Sequence, residues 1–512
     1  MKPADKRAHL QTEYAERRLV IILRLPRLLA AAAFACGVAA WIRFLDSGLV
    51  LTHYDAKAHL VVARRVIDSI TPGWQQIGAV WLPLPHLIQI LPTQIDLFYR
   101  TGAFASLVSI VCFSVMVWAA ARLVLVMTGS APGASAAGIL LIANPNLLYL
   151  QSTPMTEPLL LALLFVVVLW TCEWLAVPEP SGSPRKLQWA LFAAMWTRYE
   201  AWLVVAALLA AAAFSLHGKG FGTKRTAALL ARLTVWPTVA MVLFALNSRV
   251  TTGQWLVTGG FYEVDATYEG LFGKSLIAVW WGTHRLAGYV VEIVGLAGAG
   301  WLFASGLARS SDRSARLVPL ALIAAAALPF YALFEGHPFR VRYMVVPAAT
   351  TALLSGIAVG LLLRRRVLAF ALAVLVVTAS LVESPPFSLR APMIVEAQWD
   401  VQRAMERQAV TACLRGRSPG DKILASMGSL AHYMQELSHE GIPIADFIHE
   451  GNGDLWTLAL DSRPAPHAAW MIVEEQSEGG DILARRMRED VDFAGSVDRI
   501  CAGGGVALYR AR

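Results

Sequence analysis

The chain is a succession of apolar runs separated by clusters of arginine and lysine. The runs lie near 28–45, 103–120, 134–150, 158–175, 233–247, 287–306, 317–334, 343–363 and 367–382. A helix that crosses a hydrocarbon layer about 30 Å thick needs roughly 20 such residues, because each adds only about 1.5 Å of rise. Several runs fall slightly short, so their ends are read to within a few residues. With 56% hydrophobic residues, 16% charged and a mean hydropathy of +0.53, the chain carries more apolar surface than a soluble core can hide. It is read as a polytopic α-helical membrane protein.

Charge placement gives the expected topology. Lys2, Lys6, Arg7, Arg17, Arg18, Arg24 and Arg27 precede the first run, and no A-x-A site follows a short apolar region. The first run is therefore expected to be an uncleaved signal-anchor with a cytosolic N-terminus. The segment 188–214 has Arg185 and Lys186 before it and Lys219, Lys224, Arg225 and Arg232 after it. Both ends then belong in the cytosol, which one span cannot satisfy. Two short helices of about 12 residues each can, with Thr197, Arg198, Tyr199 and Glu200 at their tip. The count becomes about 11 membrane helices, and Arg309, Arg313, Arg316, Arg364, Arg365 and Arg366 all fall in the cytosol. The C-terminal region emerges on the outer face of what is expected to be a bacterial-type plasma membrane.

A net charge of +8 could suggest a nucleic-acid partner, but the excess is local. Only 13 Lys+Arg against 18 Asp+Glu lie after residue 383, leaving 31 against 18 before it. The basic residues sit between membrane runs, so they report orientation, and no nucleic acid is expected. Composition also changes abruptly after Glu383. Short apolar stretches (KILAS, AAWMIVEE, VALYRAR) alternate there with helical ones near 394–414, 432–437 and 455–460 and from Asp481, giving an extracytoplasmic α/β domain over 384–512. Residues 1–383 form the transmembrane domain. Cys413 and Cys501 are the cysteine pair of the outer domain and are expected to form a disulfide.

The stretch from Thr52 to His86, within a first external loop over 45–101, is too polar to enter the bilayer. Its charged run is followed by Trp74, Trp81, Pro83 and Pro85, so it is read as interfacial helices at headgroup level. Lys57, Arg64, Arg65 and Asp68 are expected on its solvated or headgroup-facing surface, and Glu263, Asp265 and Glu269 in a further exposed loop.

Ionisable groups beside membrane segments are costly unless they face a cavity or a partner. Four clusters fall on the outer side: His53 with Asp55; Thr156 with Glu157; Arg198 with Glu200; and His337, Arg340, Arg342 and Tyr343. Carboxylates can deprotonate a hydroxyl or hold a divalent metal, and arginines bind phosphate through two parallel hydrogen bonds. Together they describe a site for an anionic lipid-linked donor and a hydroxyl acceptor. Each residue also has an ordinary structural alternative. Asp55 can be a solvated carboxylate, Glu157 a helix cap beside Pro158, Arg198 a partner of Glu200, and Arg340 and Arg342 headgroup anchors.

HYDAKAHL around Asp55, the WLPLPHL turn, TEPL at Glu157, the basic Arg198 and the Arg342-Tyr343 pair occur in an order that resembles the GT-C superfamily. These are integral-membrane glycosyltransferases, including protein O-mannosyltransferases and the aminoarabinose transferases that modify lipid A. The resemblance covers about residues 28–382. It implies a polyprenyl-phosphate sugar donor, a protein, lipid or glycan acceptor, and an inverting transfer with Asp55 as general base. Glu157 would assist, and Arg198, Arg340, Arg342 and Tyr343 would bind the donor phosphate. His53, His337 and Glu200 would touch substrate or a metal. Many relatives carry a second acidic residue adjacent to, or two before, the first; here His53, Tyr54 and Ala56 stand there, which leaves metal dependence open. The rival classes are a lipid or polysaccharide transporter or flippase, and a scaffold that binds envelope polymer.

Overall fold

In the computed structural model, the described residues are 3–180, 184–257, 264–307, 314–362, 365–476 and 480–512, with side chains from Arg24 onward and without that of Ser314. Lys2, the side chains of Lys6, Arg7, Arg17 and Arg18, and Glu263, Arg309, Arg313 and Arg364 lie outside them.

Among the described residues nine helices are long and apolar enough to cross a membrane: Arg24–Asp46, Ala103–Thr128, Glu157–Ala176, Glu200–Gly218, Thr223–Thr252, Tyr289–Leu307, Ala315–Phe334, Val341–Gly360 and Arg366–Glu383. They make the chain an integral membrane protein. The run read as 134–150 is broken by Asn144, whose side chain accepts the N–H groups of Asn146 and Leu147. It forms two short helices, Ala131–Ala143 and Pro145–Leu150. The hairpin over 188–214 differs from expectation in one arm. Arg185–Met195 is short, but Glu200–Gly218 has 19 residues and the length of a full span. Its apolar run continues without a breaker through the alanine-rich stretch to Ser215, so the helix continues with it.

Lipid tails give membrane helices no hydrophobic reason to associate, so close packing by small residues carries the contact. Gly133 lies against the backbone of Gly356 and Gly360, and Gly295 and Gly298 lie against the carbonyls of Thr351 and Leu354. The Val345–Gly360 helix is thereby the centre of the bundle, buried along most of its length. Any side chain at these glycines would drive the helices apart.

The C-terminal region carries a five-stranded sheet of β1 (Ile423–Ala425), β2 (Phe447–Ile448), β3 (Trp470–Glu474), β4 (Val497–Gly503) and β5 (Val506–Ala511), in the order β2-β1-β3-β5-β4. β2, β1 and β3 run parallel, while β5 is antiparallel to β3 and β4. Asp481 caps the helix that follows β3 by accepting the N–H groups of Leu483 and Ala484. Cys413 and Cys501 are joined as a disulfide between the Val401–Leu414 helix and β4, with Cα atoms 6.9 Å apart.

This sheet rests on the loop over 45–101. Leu60, Val61 and Tyr99 of the loop share one core with Val410, Leu430, Tyr433, Phe447 and Leu508. The polar residues read as a solvated surface line the junction. Lys57 pairs with Glu436 at 2.5 Å, Asp68 accepts the N–H groups of Ile444 and Ala445, and the Arg65 guanidinium bonds to the carbonyl of Gln76 and contacts Met427. Half-buried charges in a loop helix need partners, and the C-terminal region supplies them. Of the acidic loop, Glu269 is exposed and Asp265 half-buried, its N–H bonded to the carbonyl of Gly336.

Candidate active site

The loop helix Tyr54–Arg64 starts where His53 turns extended (φ −69°, ψ 125°) and its Nδ1 accepts the Asp55 N–H at 3.1 Å. That cap puts Asp55 and His59, four residues apart, on one face of the helix. Asp55 is 6% exposed and His59 5%. The Asp55 carboxylate pairs with the Arg342 guanidinium, which comes from the 3-10 turn Val341–Met344 at the head of the central helix. Burial pushes the Asp55 carboxyl up, but Arg342, with His53 and His59 in support, outweighs it and holds the group well below the usual carboxylate range.

His53 links this pair to a residue that the sequence reading placed only within an amphipathic helix. Its Nδ1 accepts a backbone N–H, which leaves Nε2 to face the pair. That atom lies 3.4 Å from Arg342 Nη1 and 3.9 Å from Glu396 Oε1. Glu396 Oε2 accepts the Val341 N–H at 2.6 Å, which ties the arginine's turn to the start of the C-terminal region.

A second cluster forms at the hairpin tip. Arg198 donates to Glu200 at 2.8 and 3.0 Å and to the Thr156 hydroxyl at 3.0 Å. Its Nη1 is also 3.0 Å from Glu157 Oε1, yet neither Glu157 oxygen has an aligned hydrogen bond, although the residue is 1% exposed. Burial disfavours the Arg198 cation; Glu157 and Glu200 more than restore it and raise its pKa. Four of the expected residues therefore form one network, with Arg198 as its shared cation.

Between the clusters stands a histidine pair. His86 Nδ1 donates to the Leu82 carbonyl at 3.2 Å, leaving Nε2 to accept from His59 Nδ1 at 3.0 Å. The tautomers follow in sequence, and His59 Nε2 is left with its lone pair. Burial pushes His86 down to about 3 and His59 well below its ordinary value, so both are neutral at pH 7. His59, His86 and Thr156 line a small cavity with Pro85 and Met155. His59 also lies within the field of Asp55, Arg198 and Arg342, so the two ion-pair clusters belong to one region. The i to i+4 spacing of Asp55 and His59 was the available sequence signal; His86 and Glu396 had none.

The remaining candidates sit at the edge. The Arg340 guanidinium stacks 4.7 Å over Trp399 and bonds to the Phe339 carbonyl at 3.4 Å. Tyr343 is half-buried, edge-on to His337 at 5.5 Å and 5.2 Å from the Arg342 guanidinium carbon. His337 Nδ1 bonds to the Pro338 carbonyl at 2.8 Å, and burial lowers its pKa. Among the described residues no group of three or more His, Cys, Asp or Glu is arranged to hold a metal ion. Asp55 and Glu157 each face an arginine instead. The arrangement offers a buried carboxylate, the buried guanidinium groups of Arg342 and Arg340, the latter stacked on Trp399, and the half-buried guanidinium of Arg198.

No protein-family model and no curated protein matches the chain. Its fold is similar to the crystal structure of ArnT from Cupriavidus metallidurans in the apo state, with a TM-score of 0.54 and 12% sequence identity over 94% of this chain and 97% of that one. At that identity the likeness concerns the fold, and it takes in the C-terminal region as well as the membrane bundle. The chain shares the overall fold of that structure.

Proposed function

We propose that the protein transfers a sugar from a polyprenyl-phosphate donor to a hydroxyl acceptor at the outer membrane face, with inversion and with Asp55 as the base. The observation that carries this reading is the buried Asp55 carboxylate held by Arg342 at the junction of the loop helix and the central membrane helix. The GT-C-like fold, shared with a protein titled ArnT, supports the reaction class.

The chemistry follows from the charges. Paired with Arg342, Asp55 is ionised but a weak base. A donor phosphate that enters takes up Arg342 as a guanidinium partner. Asp55 is then a carboxylate in a buried site without its cation, and its affinity for a proton rises. It accepts the proton of the acceptor hydroxyl within about 2.6 to 3.2 Å as that oxygen attacks the anomeric carbon. The bond from this carbon to the phosphate oxygen breaks, and the polyprenyl phosphate leaves with the electron pair. Arg342 and Arg198 meet the charge that develops on it, with Arg340 and Tyr343 at the rim. Glu157 and Glu200 hold Arg198 in place. The distribution of basic residues supports a cytosolic N-terminus and an outer C-terminal domain.

The test is incubation of the purified protein with radiolabelled polyprenyl-phosphate sugar and a panel of hydroxyl acceptors. Donor consumption with a glycoside of inverted configuration is expected. Movement of labelled lipid between vesicle leaflets without donor consumption would replace this reading by a flippase.

A further inference from the structure

A cavity of about 260 Å³ opens at the other end of the helix bundle. Its charged walls are Arg27, Arg122, Lys186 and Glu173, and Trp118 and Trp170 close its sides. Glu157 begins its helix and Glu173 lies in its last turn, which separates the two by about 24 Å along the axis at about 1.5 Å per residue. Lys186 likewise opens the short helix whose far end leads to Arg198. The cavity therefore lies across the membrane from Asp55 and belongs to no part of the site described above.

Its charge is unbalanced in a particular way. Arg122 Nε donates to Glu173 Oε1 at 3.0 Å, so the single acidic group of the cavity is already matched. Arg27 and Lys186 add two positive charges on exposed side chains, and the Lys186 ammonium stands 4.9 Å over the Trp170 ring. The Arg122 and Glu173 side chains are themselves 27% and 28% exposed, so the cavity is open and not a sealed ion pair. Basic pockets between membrane helices are suited to phosphate headgroups, and tryptophan rings favour the same depth. The volume is below the roughly 300 to 1,000 Å³ of pockets that enclose a whole small ligand. It fits a headgroup whose acyl chains lie outside, along exposed apolar positions such as Leu28, Val111 and Val115 on the adjoining helices.

We infer that this cavity binds the phosphate headgroup of an anionic membrane phospholipid. The ligand chemistry is a phosphodiester monoanion with two tails. Arg27 and Lys186 provide the charge, Arg122 is fixed by Glu173 as a hydrogen-bond donor, and the two indoles bracket the glycerol region.

The experiment uses the delipidated full-length protein in detergent, with phosphatidylglycerol, phosphatidylcholine and inorganic phosphate as probes. Native mass spectrometry measures lipid retention, and an amine-reactive reagent followed by peptide mapping measures protection of Lys186. Phosphatidylglycerol is expected to be retained over phosphatidylcholine and to protect Lys186. The double variant Arg27→Gln/Lys186→Gln should bind phosphatidylglycerol about tenfold or more weakly, with phosphatidylcholine binding unchanged. Both side chains are exposed, so the variant should elute as the parent does. Equal phosphatidylglycerol affinity in parent and variant overturns the assignment. So does protection of Lys186 by inorganic phosphate as strong as that by the lipid, which would make the cavity a site for free anions. Neither readout depends on sugar transfer.

Discussion

The Asp55 carboxylate and the Arg342 guanidinium form a buried ion pair that joins the first turn of the loop helix to the turn heading the central membrane helix. The pair both stores the negative charge that a base requires and restrains it. Its two halves should therefore respond differently to substitution.

Asp55→Asn keeps the side-chain size and removes the proton acceptor. Turnover should fall by at least about a hundredfold. Donor affinity should hold or improve, because Arg342 no longer has a carboxylate to leave. Transfer kinetics alongside equilibrium binding of the donor check both parts. Near-normal turnover would move the base to Glu157.

Arg342→Gln removes the cation and leaves Asp55 buried. The sign of the pH effect follows: burial raises the Asp55 pKa, Arg342 lowers it, and in the variant only the raising influence keeps its strength. In the parent without donor, Asp55 stays ionised down through the unperturbed carboxylate value of about 3.9. Its contribution to stability is present above that value and is lost as pH falls through the depressed folded pKa. The kcat/KM profile of the parent should show no acid limb from Asp55 between about pH 5 and 8. In Arg342→Gln an acid limb should move up in pH, with donor binding weakened about tenfold or more. An unchanged profile in the variant would separate Arg342 from Asp55.

The hairpin-tip network predicts an asymmetry between its members. Glu157→Gln leaves Arg198 its bonds to Glu200 and Thr156 and should mainly reduce turnover. Arg198→Ala strands two buried carboxylates and should destabilise the protein by about 3 to 5 kcal/mol. Thermal unfolding in detergent, measured on both variants, distinguishes them.

The disulfide closes a loop with a sequence separation of 88. In the chain-entropy description its loss costs about 4.6 kcal/mol. Cys413→Ser/Cys501→Ser should make the C-terminal region more susceptible to limited proteolysis while the membrane helices remain resistant. Equal digestion of parent and variant would show that the bond adds no local stability.

Hydropathy is a sum over neighbours in the chain, so most membrane helices were legible, from 28–45 to 367–382, but Thr223–Thr252 begins ten residues before the run read at 233–247 and the run at 134–150 is two short helices. The likeness to the ArnT fold was anticipated by the order of HYDAKAHL, WLPLPHL and TEPL, and β1, β3 and β5 by their short apolar runs. β4 was not legible, because most of Val497–Gly503 stays partly or fully exposed and carries no apolar alternation. The extra length of the Glu200–Gly218 helix was hidden by a parity argument that required two short arms.

The candidate residues could be gathered by type, but their partners could not be assigned. Nothing local in HYDAKAHL indicates that Asp55 meets Arg342 or that His53 approaches Glu396, and nothing in VVARRVID indicates that Asp68 holds the backbone of Ile444 and Ala445. The sequence determined which side chains are too polar to face lipid and which helices must. Which charge answers which was decided by packing: the small-residue contacts of the Val345–Gly360 helix and the shared core of the loop with the C-terminal sheet set the distances. Coulombic energy depends on those distances and on burial, and neither quantity is a property of the chain taken residue by residue.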